Sequence, residues 1–117
     1  MQSRKSAKVI EIAAHWDVTA DTVRSVLKAA AIVPVSTGPA RYRWCDIWAF
    51  EGCGWVAPHD EAAFRAPLAA PDDLEAFFPG VPERTVTDQA LKKKIPAIRI
   101  GNQWRFRRLS LERWQDD

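Results

Sequence analysis

Apolar residues recur with helical spacing near the start of the chain. Val9, Ile12, Ala13 and Trp16 fall at i, i+3, i+4 and i+7, which predicts one buried face of a helix over Val9–Trp16. Asp17 and Val18 break the period. Thr19 is then placed to cap a second helix running from Ala20 to about Ala31, with Asp21 in the first turn suiting the helix dipole. That helix buries Val23, Val26, Leu27 and Ala30 and leaves Asp21, Arg24, Ser25 and Lys28 outside. Two short amphipathic helices joined by a tight turn make a helix-turn-helix pattern.

The period then changes to two. Val33–Ser36 is short and rich in β-branched residues, Thr37-Gly38-Pro39 is a turn, and Arg41 to Trp44 alternates basic with aromatic, which predicts a small hairpin. Asp46 is expected to cap a closing helix with Ile47 and Phe50 on one face and a stop at Glu51-Gly52. Around residues 58–70 no clean period survives, and the segment is expected to be a linker with a helical turn near Asp60–Phe64. Pro71 suits the first turn of a new helix carrying Asp72, Asp73 and Glu75 at its positive end and Leu74, Phe77 and Phe78 as an apolar stripe.

The pattern recurs in the second half. Val18, Thr22 and Val23 correspond to Val81, Thr85 and Val86 at an offset of 63, and Arg41-Tyr42-Arg43 to Arg105-Phe106-Arg107 at an offset of 64. Ile47 and Phe50 match Leu111 and Trp114 at the same offset. Ile98 and Ile100 form one alternating strand, Gly101-Asn102 is a hairpin turn, and Trp104 and Phe106 alternate with Arg105 and Arg107 in the return strand. Rings are expected to be buried there, with cations pointing out. Two copies of one plan result: residues 1–57 and 71–117, separated by the linker 58–70.

Composition narrows the function. The chain has 117 residues and a formal net charge of +2, with 47% hydrophobic residues, which fits two very small domains and argues against a large enzyme with a deep cleft. No signal peptide and no run of apolar residues long enough for a membrane span is present, so a soluble cytoplasmic protein without membrane partners is expected. Cys45 and Cys53 are too few for a disulfide scaffold and wrongly spaced for a metal knuckle, so buried or idle thiols, no metal and no cofactor are expected. His59-Asp60 with Glu61 invites a general-base reading, but no second histidine pair or carboxylate constellation accompanies it, and no enzyme is expected. The near-neutral total hides a concentrated run. Between Ala90 and Trp114 there are eight basic residues and one acid, Glu112.

The stretch IPAIRIGNQWRFRRLSLERW resembles the wing and closing helix of excisionase-type, MerR-like winged helix-turn-helix domains, and GVPERTV resembles that family's turn and start of the recognition helix. Residues 8–52 show the same plan more loosely through DVTADTV, RYRW and DIWAF. The resemblance implies a mainly α fold with small β-hairpin wings, arranged as two tandem winged helix-turn-helix units. It departs from the family at Pro82, where Ser or Thr is usual; Pro82 is instead expected at the first helical position. The first wing, STGPARYRW, lacks the basic residue that Arg99 supplies in the second.

By that resemblance the partner is double-stranded DNA, and the two units would read major-groove segments about one helical turn apart. In the first unit the expected contacts are Thr19, Asp21, Thr22, Arg24, Ser25 and Lys28 on the second helix and Arg41 and Arg43 in the wing, with Arg24 suited to a bidentate pair with guanine. In the second they are Arg84, Thr85, Thr87, Asp88, Lys92 and Lys93, with Arg99, Asn102, Gln103, Arg105 and Arg107 along the minor groove or its phosphates. Asp88 is unfavourable beside phosphate unless it accepts from a cytosine amine or orients an arginine. The role implied is a recombination directionality factor of a mobile element, in a bacterium or phage and associated with the nucleoid, acting with an integrase or with another copy of itself on adjacent DNA. A small transcription regulator would use the same contacts, and a protein-binding adaptor that has lost DNA contact is the remaining alternative. Trp16, Trp44, Trp48, Phe50, Phe77, Phe78, Phe106 and Trp114 are expected in the cores, with Trp48 and Trp55 also candidates for packing the two units together or for binding a partner protein.

Overall fold

The computed structural model describes residues 5–116; residues 1–4 of the expected first unit and residue 117 of the second lie outside the described residues. The chain separates into two compact units, Met1–Ala66 and Pro67–Asp117.

The first unit opens with a strand that its sequence did not announce, β1 (Ser6–Lys8), followed directly by helices α1 (Val9–Trp16) and α2 (Ala20–Ala29). Ile12, Ala13 and Trp16 of α1 pack with Val23, Val26 and Leu27 of α2, as the periodicity requires, whereas Ala30 is exposed. Thr19 caps α2, its side chain accepting from the Thr22 N–H at 3.2 Å. The helix ends two residues earlier than expected because Ala31 takes a left-handed conformation, φ 58°. The Ala31 N–H then bonds the Lys28 carbonyl and the Ile32 N–H bonds the Leu27 carbonyl, the paired bonds of a Schellman stop.

Two strands follow, β2 (Ser36–Thr37) and β3 (Ala40–Arg43), and then α3 (Trp44–Phe50). The hairpin begins later than Val33 because the strand partner of Arg41 is Ser36, while Val33 stands exposed outside the ladder. β3 is the central strand of a three-stranded sheet, pairing antiparallel with β1 on its other side. Asp46 lies in the first turn of α3 rather than at its cap, which is Arg43. The expected stop at Glu51-Gly52 is present, with Gly52 at φ 99°.

Residues 58–70 are folded. A 3-10 turn (Pro58–Asp60) leads into α4 (Glu61–Arg65), which buries Phe64 in the first unit, while Leu68 and Ala69 are buried in the second. A polar centre closes the first unit. His15 Nδ1–H donates to the Ala66 carbonyl at 2.8 Å, and Nε2 is joined to Glu51 Oε2 at 2.7 Å. The same carboxylate oxygen accepts from the Trp16 indole N–H at 2.8 Å. One buried acid at the end of α3 therefore fastens α1, and His15 carries the tie on to the end of α4.

In the second unit the helix expected from Pro71 contracts to a 3-10 turn (Pro71–Asp73) followed by turns. Phe78 precedes Pro79, and a residue before proline is pushed out of the helical region, so only a few residues remain to propagate a helix. Leu74 is still buried and Phe77 and Phe78 half-buried against the core of Ala69, Val86, Ala90, Ile95, Phe106 and Leu111. Helix α5 (Glu83–Leu91), strands β4 (Ile98–Ile100) and β5 (Gln103–Arg105), and helix α6 (Arg108–Asp116) complete the unit. Pro82 is the residue before the helix, not its first member, and its carbonyl accepts from Thr85 and Val86. α5 ends as α2 does. Lys93 takes φ 60°, the Lys93 N–H bonds the Ala90 carbonyl and the Lys94 N–H bonds the Gln89 carbonyl.

Candidate nucleic-acid interface

Helix α5 presents Arg84 and Thr85 to solvent and keeps Val86 and Ala90 inside. Thr87, half-buried, spends its hydroxyl on the Arg84 carbonyl at 3.0 Å, so it braces the helix instead of projecting. Asp88 is exposed and pairs with Lys92 one turn later at 3.1 Å, a lysine and not the arginine expected from the sequence. Beyond the stop, the left-handed turn at Lys93 leaves Lys92, Lys93 and Lys94 all exposed.

The hairpin's faces differ from the expected arrangement. Across the ladder Ile98 faces Arg105, Arg99 faces Trp104 and Ile100 faces Gln103. Side chains alternate, so the buried Ile98 and Ile100 share a face with Arg105, and Trp104 shares the other with Arg99. Arg105 is buried at 7% exposure, donating to the Trp104 carbonyl at 2.7 Å and to Gln103 Oε1 at 2.8 Å. Arg107, just after the strand, is buried too. Neither arginine is an outward wing cation. Gln103 is correspondingly a partner of Arg105, while Asn102 stays exposed at the turn beside Gly101, whose φ of 62° the two-residue hairpin loop requires. Arg99 is exposed and its guanidinium lies 4.8 Å from the Trp104 ring centroid, a stacked cation held in place by its cross-strand neighbour.

Lys94 and Arg108, next in sequence to expected contacts, are exposed as well; the Lys92-Lys93-Lys94 run and the Arg107-Arg108 pair were the available signals. A groove of about 640 Å³ is lined by Leu91, Lys93, Lys94, Arg99, Trp104 and Trp114, and so has apolar walls and a cationic mouth. Trp114 is accordingly not core: it is 39% exposed and rests on Phe78, ring centroids 6.0 Å apart.

The first unit's surface is electrostatically quieter. Thr19 and Thr22 share a hydroxyl–hydroxyl hydrogen bond of 2.9 Å, so both serve the cap. Arg24 pairs with Asp21 at 3.1 Å, both exposed, while Ser25 and Lys28 stand free on the same helix. Arg41 is turned inward, its Nε donating to Ser6 Oγ at 2.8 Å and its Nη2 to the Ser6 carbonyl at 2.9 Å; β1 consumes it. Arg43 is exposed. Trp48 is buried, donating to the Phe64 carbonyl at 3.1 Å, and Trp55 is 75% exposed. The thiols are both free, Cys45 exposed and Cys53 half-buried, so neither is a core residue. His59 is exposed, with Nε2 3.8 Å from Asp60 Oδ1. Among the described residues no cluster of His, Cys, Asp and Glu is arranged to hold a metal ion, and no helix is long and apolar enough to cross a membrane.

Residues 80–117 match the family model described as a helix-turn-helix domain, which covers α5, the β4–β5 hairpin and α6. No match to the chain was found among curated proteins or among solved structures.

Proposed function

We propose that this protein binds double-stranded DNA in a sequence-specific manner, with α5 entering the major groove and the β4–β5 hairpin following the neighbouring backbone or minor groove. The observation that carries the reading is the cationic surface of the second unit. Arg84, Lys92, Lys93, Lys94, Arg99 and Arg108 are all exposed, on the stretch that matches a helix-turn-helix family. Duplex DNA presents about one negative charge per 1.7 Å of axis, and releasing its counterions gives such a surface affinity for any sequence. Base discrimination then falls to Arg84 and Thr85 at the start of α5, where a recognition helix meets base edges.

The first unit is a second reader in this proposal, through Arg24, Ser25 and Lys28, with a weaker electrostatic share because Asp21 already answers Arg24. Within the cell the role is that of an excisionase-like recombination directionality factor working in the cytoplasm on nucleoid DNA. Its contacts are shared with small transcription regulators, so an excision assay with the cognate integrase decides between them.

Selection of bound duplexes from a random pool, followed by footprinting and a salt titration, tests the DNA reading. The expected result is a saturable site with log affinity falling linearly in log salt, the slope losing about one unit for each phosphate-contacting lysine replaced. Failure to bind any duplex at low salt overturns it and leaves the protein-binding adaptor.

A further inference from the structure

A cavity of about 550 Å³ in the first unit shares only the wing arginines Arg41 and Arg43 with the residues expected to contact DNA. Residues of all three strands, α3 and α4 line it, among them Lys5, Arg41, Arg43, Trp44, Trp48 and Glu61. Its size falls in the range of small-molecule sites.

Three features define what would fill it. The first is an aromatic lining: the indoles of Trp44 and Trp48, which both border the cavity, stack on each other with centroids 5.9 Å apart and an interplanar angle of 23°. Such a lining favours a planar ring, which buries much area at small entropic cost. The second is a donor left to solvent. The indoles of Trp16 and Trp48 each donate to an internal oxygen, whereas the Trp44 indole N–H makes no hydrogen bond among the described residues and is not shut off from solvent.

Charge is the third. Arg41 faces Glu11 at 3.8 Å and Glu61 faces Arg65 at 3.5 Å, so these two lining groups are answered within the unit. Lys5 and Arg43 have no opposing carboxylate among the described residues and form a cationic rim. With Glu61 also in the lining, a single negative charge is accommodated better than a dianion.

We propose that this cavity binds a small planar aromatic monocarboxylate, its ring against the tryptophan lining and its carboxylate met by Lys5 and Arg43. The Trp44 indole N–H donates to the ligand. This site is independent of the DNA-binding surface of the second unit.

The test is a titration of the full chain with indole-3-acetate, followed through the indole N–H signals of the six tryptophans in a proton–nitrogen correlation spectrum. A saturating shift of the Trp44 signal, identified by its loss in Trp44→Phe, is expected. Indole-3-acetamide and acetate should each bind at least about tenfold more weakly, since one lacks the charge and the other the ring. Arg43→Gln should weaken indole-3-acetate by about tenfold; because Arg43 is exposed, this variant folds and keeps the test open if Trp44→Phe does not. Absence of a saturable shift up to about 10 mM, equal binding of acid and amide, or a response confined to other tryptophans overturns the proposal. So does displacement of the same Trp44 signal by duplex DNA in place of the acid.

Discussion

Arg105 stands opposite Ile98 across the β4–β5 ladder, and this pairing turns its guanidinium inward, away from the face that carries Arg99. The two arginines, both apparent wing cations in the sequence, therefore have different duties. Arg105 satisfies the Trp104 carbonyl and Gln103 and holds the hairpin's shape. Replacing it with Ala removes a buried donor and opens a gap, and should destabilise the second unit by roughly 1–3 kcal/mol. Arg99→Ala should leave the melting temperature almost unchanged and weaken binding to all duplexes at low salt. Thermal denaturation alongside anisotropy titrations separates the outcomes. Equal loss of affinity with unchanged stability in both variants would refute the division.

The register behind this assignment also marks the limit of what the sequence discloses. Periodicity located α1 to the residue and identified Ile12, Trp16, Val23 and Leu27 as core, because helical spacing is a local property. The Gly101-Asn102 turn was equally legible. Which way Arg105 faces was not, since alternation gives two faces without naming the buried one, and Ile98 on the partner strand decides it. β1 escaped for a related reason. Its three residues pair with β3 some 35 positions later, a non-local match that no spacing rule reports, and it diverts Arg41 from the surface. Exposed cations in an unbroken run, such as Lys92 and Lys93, needed no tertiary knowledge.

The two Schellman stops lead to a second prediction. Ala31 and Lys93 are both held near φ 60°, a region that costs a residue with a Cβ roughly 1–2 kcal/mol and glycine nothing. Glycine loses more chain entropy on folding, which offsets part of that gain. Ala31→Gly and Lys93→Gly should each raise stability by about 0.5–1 kcal/mol, or several degrees in Tm for domains of this size. Lys93→Gly should at the same time lower DNA affinity, so stability and binding move in opposite directions. A fall in Tm for both would contradict the left-handed stops.

Capping at Thr19 offers a smaller effect. Thr19→Ala deletes the acceptor for the Thr22 N–H and its partner hydroxyl contact, and should cost about 1 kcal/mol. Thr19→Asp restores an acceptor and adds favourable charge at the helix N-terminus, so it should recover most of the loss. Urea denaturation of the pair provides the check: if the two variants unfold at the same midpoint, the cap has no energetic role.

The buried His15–Glu51 pair sets the largest expected change. Glu51→Ala takes the acceptor from the Trp16 indole and the partner from His15 Nε2 at once, in a site where the side chains of His15 and Glu51 are about 1% and 0% exposed. Removing one partner of a buried pair typically costs 3–5 kcal/mol, a large share of the roughly 5–15 kcal/mol that holds a domain folded. The first unit should therefore be partly unfolded at room temperature, with hydrogen exchange accelerated across α1, α3 and α4. Glu51→Gln keeps a carbonyl oxygen of nearly the same reach, so it should lose less than the alanine variant. DNA binding through α5 and its hairpin should persist in both, because no residue of that surface lies in Met1–Ala66. Measuring duplex affinity and its salt slope on Glu51→Ala thus asks how much of the site belongs to the second unit alone. An affinity unchanged within about threefold would assign it there, whereas a shortened footprint and a shallower slope would show that α2 contributes contacts of its own.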